Sequence, residues 1–83
     1  MELTAMKNIG VEMQKKLNEV SIANSEDLIQ IGSKEAFSRL KAVYPEVCLV
    51  HLYSLQGAID GVDFNMLPTE VKDELKLFSD SLK

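Results

Sequence analysis

The chain has little of what marks metal-bound, secreted or disulfide-stapled proteins. It carries one cysteine, one histidine, no tryptophan, two prolines and four glycines in 83 residues. A lone Cys48 closes no internal disulfide, which fits a reducing, cytoplasmic compartment. His51 with Cys48 three residues before it makes no zinc set, because a structural zinc takes four ligands and the sequence offers no second pair. No apolar run approaches the ~20 residues of a membrane span. The opening Met1-Glu2-Leu3-Thr4 lacks a basic start before an apolar stretch, so no signal peptide is expected. No linker, internal repeat or low-complexity stretch divides residues 1–83, which read as a single domain.

Positive charge is also scarce. Nine bases stand against thirteen acids, for a formal charge of −4 and a pI near 4.8. The imbalance lies after Lys41, since the charges up to that point cancel. Tight non-specific nucleic-acid binding needs a basic surface. The total therefore disfavours it, leaving a local patch in the first half as the alternative.

What is present is helical periodicity. Asn8-Ile9-Gly10 separates two short helical patterns, about Leu3–Lys7 and Val11–Val20. Gly10 is read as the residue that lets the chain reverse, giving a helix-hairpin-helix start. Met13, Leu17 and Val20 form one apolar face of the second helix. Ile22 is expected to plug the core. Asn24 reads as the N-cap of a third helix, about Ser25–Ile31, with Asp27 completing a capping-box-like arrangement and Gly32 ending it. Ser33 is expected to cap a fourth, about Lys34–Val43, striped by Ala36, Phe37 and Leu40. Pro45 is expected to stop that helix and open a fifth, about Glu46–Asp60. The fifth is apolar on more than one face and so central. Gly57 within it costs ~1 kcal/mol against Ala, which suggests close approach by another helix. After Gly61 and a loop with apolar anchors, Pro68 starts a sixth helix, about Pro68–Leu82, striped by Val71, Leu75, Phe78 and Leu82. The fold class is all-α, a compact five- to six-helix domain.

These residues resemble a known family. Asn8-Ile9-Gly10, Leu17-Asn18-Glu19-Val20-Ser21-Ile22, Glu26-Asp27-Leu28 and Ile31-Gly32 are similar to the C-terminal domain of the TfoX/Sxy competence regulators. So are Glu35 to Lys41, Leu67-Pro68 and, most specifically, Leu52-Tyr53-Ser54-Leu55-Gln56-Gly57-Ala58-Ile59-Asp60-Gly61. The resemblance implies a helix-hairpin-helix or SAM-like fold and a role in bacterial regulation of natural competence, that is, of DNA transformation. Full-length members place an α/β domain first, which is not expected here. Ser21 stands where the family usually has Gly, and Phe64 where it usually has Trp.

Two candidate surfaces follow. Lys7, Asn8, Gly10, Lys15 and Lys16 would contact a nucleic-acid backbone through the hairpin and the helix start after it. A structural turn with solvated lysines is the plainer reading. Tyr53, Gln56, Phe64 and Met66 are the candidate partner surface, with Met6 and Met13 joining Met66 and Phe64 in an apolar patch. Core filling is the alternative for the methionines, as is a packed Tyr53. Cys48 reads as a buried free thiol, His51 as a packed or surface residue, and Glu70, Asp73 and Glu74 as a solvated face. With no nucleophile–base pair or metal cluster visible, the chain is read as no enzyme, with no cofactor and no metal. The expected role is a non-catalytic module working through a protein partner, with homo-oligomerisation open.

Overall fold

Each short amphipathic segment has one stripe to hide, and no segment is long enough to stand alone in water. In the computed structural model, which describes residues 1–82, the stripes meet in one core with no strand among those residues. Five α-helices follow a 3-10 turn at Leu3–Ala5: α1 Val11–Glu19, α2 Ser25–Ile31, α3 Ser33–Val43, α4 Leu49–Asp60 and α5 Thr69–Ser81. A second 3-10 turn, Phe64–Met66, lies between α4 and α5. The core holds Leu17, Ile22, Leu28, Phe37, Leu40, Leu52 and Leu55, all fully buried. Helix α4 packs on α2, α3, α5 and the second 3-10 turn, so it is the central element.

The apolar stripes fall where periodicity places them. Met13, Leu17 and Val20 are buried, as are Ala36, Phe37 and Leu40. On α5, Leu75 is buried while Val71 and Phe78 are half-covered, and Leu82, at the C-cap, is exposed. Ile22 plugs the core. Asn24 caps α2, its Oδ1 accepting the Asp27 N–H at 2.9 Å, and Asp27 Oδ2 accepts the Ala23 N–H at 3.1 Å. The chain start is tied to the same helix: the Met1 ammonium donates to Glu26 at 2.9 Å, and Met1 O accepts the Ser25 N–H. That ammonium, then the backbone and Ser25, hold the Glu26 carboxyl below its usual range.

Element boundaries differ from expectation in four places. The arm before the first bend is a single 3-10 turn, not a helix to Lys7. The bend itself does not use Gly10, which is extended with φ −96°; Asn8 takes the left-handed conformation at φ 70°. Ser33 does not cap α3. Gly32, at φ 88°, holds the cap position, and Ser33 opens the helix with its hydroxyl turned to Gln56. Pro45 does not open α4. It occupies the second position of a tight turn closed by Val47 N–H to Tyr44 O at 3.0 Å, a place its fixed φ suits. The turn drops Val47 into the core, and Lys41 Nζ holds the Pro45 and Val47 carbonyls at 2.9 and 2.6 Å. The chain re-enters helix at Leu49.

Ser21 is the second non-glycine residue in the left-handed region, at φ 67°. A β-carbon there costs about 1 kcal/mol, a cost that glycine would not bear. Ser21→Gly is expected to raise stability by about 0.5–1 kcal/mol, read from the urea midpoint at unchanged slope. Unchanged or lowered stability would show that Ser21 carries no strain.

Candidate functional site

Gly57 lies on the face of α4 that the chain crosses twice. A β-carbon at this position would stand 2.5 Å from Asn8 Nδ2, 2.7 Å from Val62 O and 3.3 Å from Phe64 Cα. The sequence suggests that a helix presses here; instead it is the Asn8 side chain and the backbone after Gly61. The Asn8 amide fills this space. Its Nδ2 donates to Val62 O at 2.9 Å and to Ser54 O at 3.4 Å, and its Oδ1 accepts the Phe64 N–H at 3.3 Å. Asparagine suits the place twice over, because it tolerates the left-handed backbone and its short amide serves as donor and acceptor at once.

These bonds set the 3-10 turn that carries Phe64 and Met66. On the other side, Lys72 Nζ donates to Asn65 O at 3.2 Å, and Tyr53 Oη donates to Lys72 O at 3.3 Å. Leu67 anchors the turn in the core at 4% exposure. The result is a firmly held turn whose apolar side chains face water: Phe64 is 38% exposed and Met66 70%. Met6 and Met13 do not join them, being buried. Acidic side chains border the turn in sequence, with Asp60, Asp63 and Glu70 all exposed.

The hairpin residues are divided. Lys7, Gly10 and Lys15 are exposed. Asn8 turns inward, as described. Lys16 turns along the molecule, its Nζ 3.8 Å from Glu46 and 5.4 Å from the centre of the Tyr44 ring. The first turn of α1 carries Glu12. Gln56 does not share the Phe64 surface. It accepts the Ser33 hydroxyl at 2.5 Å and donates to Asp60 at 3.0 Å.

Cys48 is exposed rather than buried, and it has a structural task. It caps α4 in a box with His51: its sulfur accepts the His51 N–H, and His51 Nδ1 accepts the Cys48 N–H at 3.0 Å. The spacing of three that could suggest a ligand pair is also the spacing of an N-cap and its N3 partner. That signal lay in the sequence. No group of three or more His, Cys, Asp or Glu suited to a metal occurs among the described residues. Among the same residues, no helix is long and apolar enough to cross a membrane.

Fold and site together define a small all-helical domain whose polar side chains close its turns and helix ends. The chain belongs to the TfoX C-terminal domain family, whose model matches residues 1–78. Two crystal structures of an uncharacterised protein of Listeria monocytogenes are similar to it. The triclinic form superposes with a TM-score of 0.96 at 36% identity, covering 99% of this chain and 93% of that one. The tetragonal form gives 0.95 at 36% identity, covering 99% and 100%. None of the curated proteins matches.

Two substitutions test the junction. Gly57→Ala is expected to destabilise by about 2 kcal/mol, since the backbone it meets outweighs the ~1 kcal/mol gain in helix propensity. Asn8→Ala is expected to cost about 2–3 kcal/mol and Asn8→Gly about 1 kcal/mol less, the difference being left-handed strain. Both are read by urea denaturation. Equal losses for the two Asn8 variants would remove the strain argument, and a neutral Gly57→Ala the packing argument.

Proposed function

We propose that the chain is a non-catalytic interaction module of the TfoX regulatory type, serving natural competence in the bacterial cytoplasm through contacts with a protein partner. The surface is the turn of Phe64 and Met66. What supports this reading is the pairing of exposure with fixity: two large apolar side chains face solvent on a backbone bonded from Asn8 and from Lys72. A preformed apolar patch with a polar rim binds without first losing backbone freedom. Tyr53 belongs to the support of this surface rather than to its contact area, through its bond to α5.

The alternative, backbone contacts to nucleic acid by Lys7, Asn8, Gly10, Lys15 and Lys16, has less support. Of the four side chains among these residues, those of Asn8 and Lys16 are engaged within the domain, and the net charge is negative. The two readings separate by salt and by nuclease. Immobilised protein is expected to retain its partner from native extract after nuclease and at moderate salt. The Phe64→Ser/Met66→Ser double variant, folded by circular dichroism, is expected to lose it by at least about tenfold. Loss on nuclease treatment, or salt-sensitive binding of a labelled DNA duplex in an anisotropy titration, would favour the hairpin instead. Retention by the double variant would place the contact elsewhere.

A further inference from the structure

Where α2 gives way to α3 the chain leaves a cavity of about 400 Å³ against α4 and α5. That lies within the ~300–1,000 Å³ of small-ligand sites. Its lining combines apolar Ile31, Val71 and Leu75 with polar Ser33, Lys34, Gln56 and Glu74. The polar part is built rather than incidental. Ser33 is buried, and its hydroxyl donates to Gln56 Oε1 while Gln56 Nε2 donates to Asp60, so the amide is fixed at both ends. Lys34 Nζ stands 2.6 Å from Glu74 Oε1, joining α3 to α5, and 5.9 Å from the centre of the Phe78 ring.

The charges select the occupant. A simple anion drawn to Lys34 meets Glu74, and a simple cation drawn to Glu74 meets Lys34. A molecule carrying both charges can take the place of the ion pair and leave neither side chain without a counter-charge. The pair is open to solvent, with side-chain exposures of 42% and 63%. Such pairs are held weakly, so parting them costs little. The apolar part of the lining suits a short branched hydrocarbon. We propose that this cavity binds a small zwitterion of the aliphatic α-amino-acid class. Its carboxylate sits on Lys34, its ammonium on Glu74, and its side chain against Ile31, Val71 and Leu75. The site is separate from the Phe64 surface and stands or falls independently of it.

The test is a nitrogen–proton NMR titration of the whole chain with L-valine. Isovalerate and isobutylamine serve as comparators, each keeping the branched tail and one of the two charges. Saturable shifts are expected at the Ser33 and Lys34 amides and at the Gln56 side-chain amide, with either comparator weaker by at least about tenfold. Lys34→Met and Glu74→Gln, checked for helicity, are each expected to weaken L-valine by a similar factor. Absence of saturable shifts up to the solubility of L-valine overturns the proposal. So does isovalerate or isobutylamine matching L-valine, or unaltered binding in both variants.

Discussion

The amide of Asn8 resting on the bare backbone of Gly57 is the contact on which the arrangement depends. It joins residues far apart in sequence: the bend before α1, the middle of α4 and the chain after α4. Neither partner can be exchanged for a generic residue. A side chain at Gly57 would occupy the space of the amide, and another residue at Asn8 would lack its paired donor and acceptor or resist its left-handed backbone. Because the amide also receives the Phe64 N–H, the same contact sets the direction of the Phe64–Met66 turn. One side chain thus ties the core geometry to the surface geometry, with Lys72 and Leu67 holding the far side of the turn.

Short helices make a particular demand. Each end leaves backbone groups without helical partners, and in helices of seven to thirteen residues those ends are a large share of the chain. The polar side chains here answer that demand. Asn24 and Asp27 close the start of α2, and Cys48 with His51 closes the start of α4. Arg39 reaches the Val20 carbonyl at the end of α1, and Lys41 reaches two carbonyls in the turn after α3. Residue types that carry chemistry elsewhere are occupied here with holding the backbone. An exposed thiol beside an imidazole is, in this setting, a helix cap.

Periodicity was enough to locate the stripes of α1 and α3, because burial of a helix face depends only on which residues recur at one angle, and the central place of α4 followed from its being apolar on more than one face. Gly57 was also legible, since an interior helical glycine is costly without a neighbour that requires it. Its neighbour was not legible, because the contact with Asn8 spans 54 residues to Val62 and 46 to Ser54. Gly10 is the more permissive residue by type, yet the asparagine two residues before it supplies the positive φ. Pro45 read as a helix opener, and only the burial of Val47 shows why it serves a turn. Ser33 looked like an N-cap by type and place. Its hydroxyl found Gln56 across the fold, a partner that local pattern does not reveal. Local signals located elements; side-chain partners distant in sequence decided their ends.

The distribution of charge bears on which surface is free to act. Lysines at a helix start would hold phosphate only if their ammonium groups were available and the helix end were not already opposed by acid. Lys16 lies over Tyr44 near Glu46, Lys34 is paired with Glu74, and Lys41 and Lys72 are bonded to carbonyls. Glu12 stands in the first turn of α1. Much of the positive charge is thereby committed within the domain, while Asp60, Asp63, Glu70 and Asp73 are exposed around and beyond the Phe64–Met66 turn. On the proposed reading, an apolar centre with an acidic border repels polyanions and favours a partner that combines apolar with basic groups, since contacts between like charges oppose approach. On the same reading, the acidic border and the exposed Phe64 and Met66 side chains act together at the turn that Asn8 helps to hold, although Leu77, Val11, Val43 and Val50 also face solvent elsewhere on the domain.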